Sequence, residues 1–366
     1  MNLWYVTKST CNISTARLNP CQISALNART THRSRCPGYI FNTPYAIGPA
    51  RPHGVKIPHV CCYATENVAL VQAAHGCELG YAEMFIQVHP DPSRDFFVDP
   101  PSPGDGATRD SHDFLACPSD WELRQKLYDS LGQHISHTVE LFARQHRLFV
   151  FTMSMFGSRV RFLRWDRAGC VVSESFDIRA QPELLCDMLW RFAAASADER
   201  GHDPTVELAL AEEAVFIDAI KRHVQSQLGR GEDVDKMIKL HHQPGHVAAV
   251  QVLYHQFTAS VENTRRFLIS RPVVTPLAMV GRGTRGYWAV DTSTKRVVFL
   301  KDTWRHSSCP EVEGETLRRL NDLGVRNIPS LIWHGDIPSS LPDEARKLTR
   351  QSCLVVLIVG VVNVLL

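Results

Sequence analysis

The chain lacks an excess of either charge. Its 40 basic and 38 acidic residues leave a formal net charge of +2 over 366 residues. That is too little to draw it to nucleic acid or an acidic membrane surface by field alone. Met1 to Arg17 carry no continuous apolar segment, so no secretory leader is expected there. The 11 cysteines are odd in number and irregular in spacing, which excludes a disulfide framework. The thiols are expected to be reduced and the protein intracellular, in cytoplasm or nucleus. No repeat is evident. The longest apolar run, Leu354 to Leu366, is broken only by Gly360 and Asn363. It falls short of the ~20 residues a membrane span needs, so a tail anchor at 354–366 is not expected. It reads as a buried strand or helix end, or as sequence foreign to the domain before it through a cut or misassigned frame.

With 44% hydrophobic and 21% charged residues, the chain can bury a core. Residues 1–65 mix Asn, Thr, Pro, Arg, His and Cys without a period and read as irregular. Residues 66–228 read as an α/β region. Tyr81 to Val88 suits a strand, and Pro90 to Pro118 an exposed loop. Leu123, Leu127, Leu131, Ile135, Val139 and Phe142 are spaced for a helix over Trp121 to Arg144, with Asp120 or Ser119 as its N-cap. Leu148 to Phe156, Val160 to Trp165 and Cys170 to Phe176 form an antiparallel meander, turned at Gly157-Ser158 and at Asp166 to Gly169. Helices come next over Pro182 to Ala195 and Val206 to Leu228, the second broken near its start. Residues 229–263 read as a linker. From about Phe267, short strands and one helix, Cys309 to Leu323, make a second lobe over 264–338, leaving 339–366 as an apolar tail. The fold class is α+β.

Gly281-Arg282-Gly283-Thr284-Arg285-Gly286 matches G-x-G-x-x-G, a weak signal until the residues after it are read. A dinucleotide-binding turn opens a helix. Here Tyr287-Trp288-Ala289-Val290, a polar turn from Asp291 to Lys295, and Arg296 to Lys301 make a hairpin instead. Glycines on a hairpin let backbone N–H groups approach phosphate oxygens from above. Lys301 ends the second strand, where a lysine can reach the α- and β-phosphates if a glutamate of the next helix holds it. Glu311, Glu313 and Glu315 are candidates. Glu313 is preferred because Leu317 and Leu320 stand four and seven positions on, spaced to pack the helix; Glu315 is second, and Arg318, Arg319 and Asn321 should face solvent. The nucleotide-binding set is therefore Gly281, Gly283, Gly286 and Lys301, with no catalytic residue and no metal ligand assigned.

From about Ala82 to Pro338 the chain resembles the basidiomycete fungal-type protein kinases. The resemblance rests on Arg144 to Phe151, Arg164 to Gly169, Ser173 to Asp177, Leu189 to Phe192, Arg200 to Thr205, Gly281 to Thr284 and Leu300 to Arg305. It implies an N-terminal α/β region joined to a kinase small lobe, a five-stranded sheet plus one helix. It also implies use of ATP and Mg²⁺ to phosphorylate protein hydroxyls of Ser/Thr type. The departure is large. No H-R-D-x-x-x-x-N or D-F-G run comes after Lys301, and these supply the base and a metal-holding aspartate. The chain stops where the large lobe should begin, and a truncated, inactive pseudokinase is the expectation.

Other constellations read more weakly. Glu83 with Gln87 and His89 has the spacing of a D…E-x-K nuclease strand but lacks the second carboxylate and the lysine. His241, His242, His246 and His255 lack a helical register across Pro244-Gly245 and read as loop histidines. Cys61-Cys62, with His53 and His59, does not match zinc spacing. Trp165-Asp166-Arg167 and Ser173-Glu174-Ser175 suit a turn and a strand flank. A binding or scaffold module with a vestigial second lobe is the alternative function, and a nuclease-like domain a distant third. Substrate and partner proteins are not legible.

Overall fold

The computed structural model describes residues 29–30, 33–43, 58–73, 78–101, 112–228, 233–253, 264–305, 313–336 and 353–359. They fall into two compact units, Met1–His202 and Asp203–Leu366. Sequence-based expectations for residues 1–28, 360–366, His53 and His255 lie outside the described residues.

In the N-terminal unit, β1 (Arg29–Thr30) and β2 (Arg33–Ser34) form a small hairpin. The main sheet runs through β3 (Tyr39–Asn42), β4 (Val60–Ala64), β5 (Ala82–His89), β6 (Phe149–Phe156), β7 (Arg159–Asp166) and β8 (Gly169–Val172), in that order. Beside β8, β9 (Phe176–Asp177) pairs with β7. Between β4 and β5 lies a short helix, α1 (Val68–Ala73). Strands β5 and β6 are parallel, and α2 (Trp121–Arg144) is the crossover that a parallel pair requires. Asp120 caps α2, accepting from the Leu123 N–H at 2.9 Å. The last helix of the unit, α3 (Pro182–Ala194), starts on Pro182 and buries Leu189 and Phe192.

Strands β5 to β7, α2 and α3 keep the limits read from periodicity to within a residue or two, whereas the run read as one strand over Cys170 to Phe176 divides into β8 and β9. The N-terminal reading is corrected: β3 and β4 are sheet strands, and Cys61 and Cys62 are fully buried in β4. Buried thiols behave as small hydrophobes, so the run Val60-Cys61-Cys62-Tyr63 is a strand in disguise. The buried face of α2 is also more polar than its apolar spacing implied. His134 is fully buried and its Nε2 meets the Thr152 hydroxyl at 2.8 Å, which in turn accepts from Trp165 Nε1 at 3.0 Å. Burial, with His137 and His89 nearby, holds the His134 imidazole down to about 3.

In the C-terminal unit, β10 (Val206–Leu208), α4 (Glu213–Leu228), α5 (Asp233–His241), β11 (Ala248–Leu253), β12 (Thr264–Ile269), β13 (Arg285–Asp291), β14 (Val297–Arg305), α6 (Glu313–Asp322), β15 (Leu331–Asp336) and β16 (Cys353–Val359) succeed one another along the chain. The sheet order is β10-β11-β12-β13-β14-β16-β15, antiparallel throughout. Trp333 Nε1 of β15 donates to the Val252 carbonyl of β11 at 3.2 Å, so the sheet curls back toward itself. Val250, Val252, Phe267, Tyr287, Val298 and Leu300 pack on one face. Phe216, Ile220 and Val224 of α4 pack with Leu268 and Val290 on the other.

Two readings change here. Residues 229–263 are more than a linker and hold α5 and β11, and the sheet has seven strands rather than five because β10 and β11 extend it. The apolar tail was set apart from the second lobe, yet β16 lies between β14 and β15, an interior position that an uninterrupted apolar run suits. Among the described residues no helix is long and apolar enough to cross a membrane.

Candidate functional site

The hairpin of β13 and β14 sets the site. Its register pairs Gly286 with Lys301 and Arg285 with Asp302, so alternation puts Lys301 and Asp302 on opposite faces of β14. Asp302 turns into the protein, where Arg285 Nε donates to its Oδ2 at 2.9 Å and both side chains are nearly fully buried. Burial pulls the Arg285 guanidinium down, and Asp302 outweighs it and raises it above its ordinary value. Lys301 emerges on the other face.

Helix α6 begins at Glu313, and the Lys301 Nζ donates to both of its carboxylate oxygens at 2.6 Å. The helix starts with two acids in its first turn, Glu313 and Glu315, which favours its N-terminus electrostatically. Glu315, the second candidate, is engaged elsewhere: Arg318 Nη2 reaches it at 2.5 Å and His334 Nε2 stands 3.5 Å away. Asn321 does not simply face solvent, because its side-chain oxygen accepts from the Leu331 N–H at 2.7 Å and fixes the start of β15.

The Lys301 and Glu313 side chains are 25% and 42% exposed. A pair so exposed contributes ~0–1 kcal/mol to folding. Stability does not account for the arrangement, which keeps an ammonium at a fixed place on an open face.

The glycine segment is anchored beside it. Gly281 and Gly283 take φ of +96° and +51°, a region that side-chain-bearing residues enter at a cost. The intervening Arg282 carbonyl accepts from the Trp304 N–H at 2.7 Å and from the Thr303 hydroxyl at 3.3 Å. The Thr284 and Thr303 hydroxyls meet at 3.0 Å. The loop is thus clipped to the end of β14, a few residues from Lys301. Gly286 has a packing reason of its own: a Cβ there would stand 2.6 Å from Phe299 Cζ and 3.0 Å from Val274 Cβ.

The other singled-out residues separate from this site. Glu83 is buried, with Arg147 Nη2 at 3.2 Å, Arg200 Nε at 3.3 Å and His202 Nε2 at 3.0 Å. Burial raises its carboxyl, but Arg147, then His202 and Arg200, outweigh that and hold it far below the usual carboxylate range. A carboxylate so occupied by cations is a structural counter-ion, and the Gln87 amide is taken by His89 Nε2 and the Ser130 carbonyl. His241 stacks on Trp288 at 3.8 Å, and His242 pairs with Glu213 at 2.6 Å. Sequence reasoning missed Gly314 and His334, which touch where α6 meets β15. The available signal was a glycine inside the first turn of a helix, where it costs ~1 kcal/mol relative to alanine.

In the N-terminal unit a half-open groove of about 860 Å³ runs along α3, floored by Phe149, Phe151, Phe162 and Phe176 and walled by Met188 and Phe192.

No curated protein and no solved structure matches the chain. A family model described as fungal protein kinase matches residues 119–355, more than half of the chain. The match takes in the meander, the glycine hairpin, Lys301, Glu313 and the start of β16, and the chain belongs to the fungal protein kinase family.

Proposed function

We propose that the C-terminal unit is a kinase-type small lobe that cradles the phosphates of an adenine nucleotide. One observation carries the reading: Lys301 Nζ lies 2.6 Å from both carboxylate oxygens of Glu313. In a kinase small lobe such an ion pair joins the third strand to the helix after it and holds the ammonium where it meets the α- and β-phosphates. Strands β12, β13, β14, β15 and β16 with α6 supply five strands and one helix, and β14 is the third strand in sequence. Backbone N–H groups at Gly281 and Gly283 would meet phosphate oxygens, and the Lys301 ammonium would neutralise their charge. The family points to ATP with Mg²⁺. Among the described residues no group of three or more His, Cys, Asp or Glu side chains could hold a metal ion. Mg²⁺ is held by one or two carboxylates together with the nucleotide phosphates, and without a D-F-G run in the 366 residues no residue is assigned to it and no step is routed through it.

Phosphoryl transfer depends on positioning and electrostatics. The 366 residues contain no H-R-D-x-x-x-x-N and no D-F-G run, so this chain on its own is expected to bind nucleotide without turnover. The test is thermal unfolding of the purified chain with and without Mg-ATP. At ten times Kd the ligand adds about 1.4 kcal/mol, or roughly 3–6 °C for a unit of this size. Lys301→Ala should abolish the shift. No shift in the parent chain defeats the nucleotide reading, and turnover at an ordinary kinase rate defeats the prediction of inactivity.

A second reading, a binding module in the N-terminal unit, is favoured by the aromatic groove along α3, whose size and lining fit an apolar ligand. Retention of a partner by the chain carrying Lys301→Ala, and its loss on Phe151→Asp, would support it. Equal retention by both variants would remove it.

A further inference from the structure

The Lys301–Glu313 pair depends on how closely α6 approaches the sheet, and one contact sets that approach. Gly314 is buried in the first turn of α6 against His334 of β15, itself 1% exposed. A Cβ built on Gly314 would stand 2.5 Å from both Cβ and Nδ1 of His334 and closer still to Cγ. Carbon atoms in contact sit ~3.5–4.0 Å apart, so any side chain at 314 demands about 1 Å of retreat. The imidazole cannot yield it. Its Cβ is fixed to the strand backbone, and its ring is enclosed. Asn321, at the far end of the helix, ties it to the start of β15, leaving the first turn as the part that must lift.

Glu313 precedes Gly314 directly. Its oxygens stand 2.6 Å from Nζ, and a hydrogen bond of this kind is lost beyond ~3.2 Å. Resting on the nucleotide reading above, we propose that Gly314 and His334 are positioning residues: the contact of the bare glycine backbone with the His334 side chain holds α6 at the height that seats Glu313 on Lys301, and so sets affinity for the nucleotide phosphates. Neither residue touches the nucleotide.

Two readouts test this on the full chain. The first needs no nucleotide. Both Glu313 oxygens crowd the Lys301 amine, so an N-hydroxysuccinimide acetate ester should label it slowly, as read by mass spectrometry. Gly314→Ala should raise labelling to the level of Glu313→Ala. Gly314→Ala/His334→Gly, which removes the His334 Cβ together with its ring and so restores room for the new methyl, should return it toward the parent rate. The second readout is affinity for trinitrophenyl-ATP. Gly314→Ala should weaken it about tenfold, the loss expected for one charge-assisted contact, and the double variant should recover most of that. In a Glu313→Ala background the Gly314→Ala substitution should change nothing further, a non-additivity that a general loss of stability would not produce. Labelling at the parent rate in Gly314→Ala overturns the proposal. So does a double variant that folds yet labels Lys301 like Glu313→Ala. Should Gly314→Ala fail to fold, the double variant alone decides. If labelling behaves as expected while the parent chain binds no trinitrophenyl-ATP, the positioning contact stands and the nucleotide reading falls.

Discussion

Replacing Glu83 by glutamine should be among the most damaging single changes available in the N-terminal unit. The side chain keeps its shape and loses its charge, and the partners left behind are Arg147, with a fully buried side chain, Arg200 and His202. Removing one partner of a buried pair costs about 3–5 kcal/mol, because an uncompensated charge remains in the interior. Whole domains are stable by only about 5–15 kcal/mol. Hydrogen exchange across β6 and β7, where protection tracks opening of the core, should accelerate at least a hundredfold, since each ~1.4 kcal/mol is tenfold. Replacing Glu83 and Arg147 together by methionine should cost less than Glu83→Gln alone, because the fully buried guanidinium of Arg147 is no longer left uncompensated. The pH dependence has a definite sign. The folded carboxyl lies below its unfolded value of about 4.3, so the stabilisation is complete above that value and drains away as pH falls below it. A tenfold or smaller change in exchange for Glu83→Gln at neutral pH would refute the account, and with it the reason for treating Glu83 as a counter-ion.

Two further outcomes rest on single side chains. His241 is buried against Trp288, and burial, with His223 nearby, lowers its imidazole from the ordinary 6.5 to about 4. The neutral ring is the one that folds, so the C-terminal unit should be fully stable above pH ~6.5 and lose a few kcal/mol as pH falls toward 4. His241→Phe should flatten that profile in thermal melts between pH 7 and 4, and an unchanged slope would count against it. Asp120→Ala removes the carboxylate that accepts the Leu123 N–H at 2.9 Å, which should cost about 1 kcal/mol and lower the melting temperature of the N-terminal unit by roughly 2–4 °C. A variant melting with the parent chain would show the cap to be idle.

The features legible in advance were local. The limits of α2 come from apolar spacing and the Asp120 cap, and the β6–β7–β8 meander from its turn residues, because a few neighbouring residues decide each. Glu313 stood apart from Glu315 by helix register: two residues turn a side chain about 200° around the axis, which is why one carboxylate meets Lys301 and the other Arg318 and His334. The features that stayed hidden were non-local. The β16 strand pairs Lys301 with Leu357 and Leu300 with Ile358, partners more than 50 residues apart whose match no window of sequence reveals. Cys61 and Cys62 were opaque for another reason: a thiol carries no periodic signature of burial, though it is buried as often as valine. The Gly314–His334 contact belongs to the same non-local kind. A glycine in a first helical turn looks like a weakness when only propensity is counted, and becomes intelligible once the strand beneath it, 20 positions on, is seen to fill the space a methyl group would need. The residues that fix Lys301 are therefore of two kinds: Glu313, which sequence order exposes, and the pair beneath it, which only packing can.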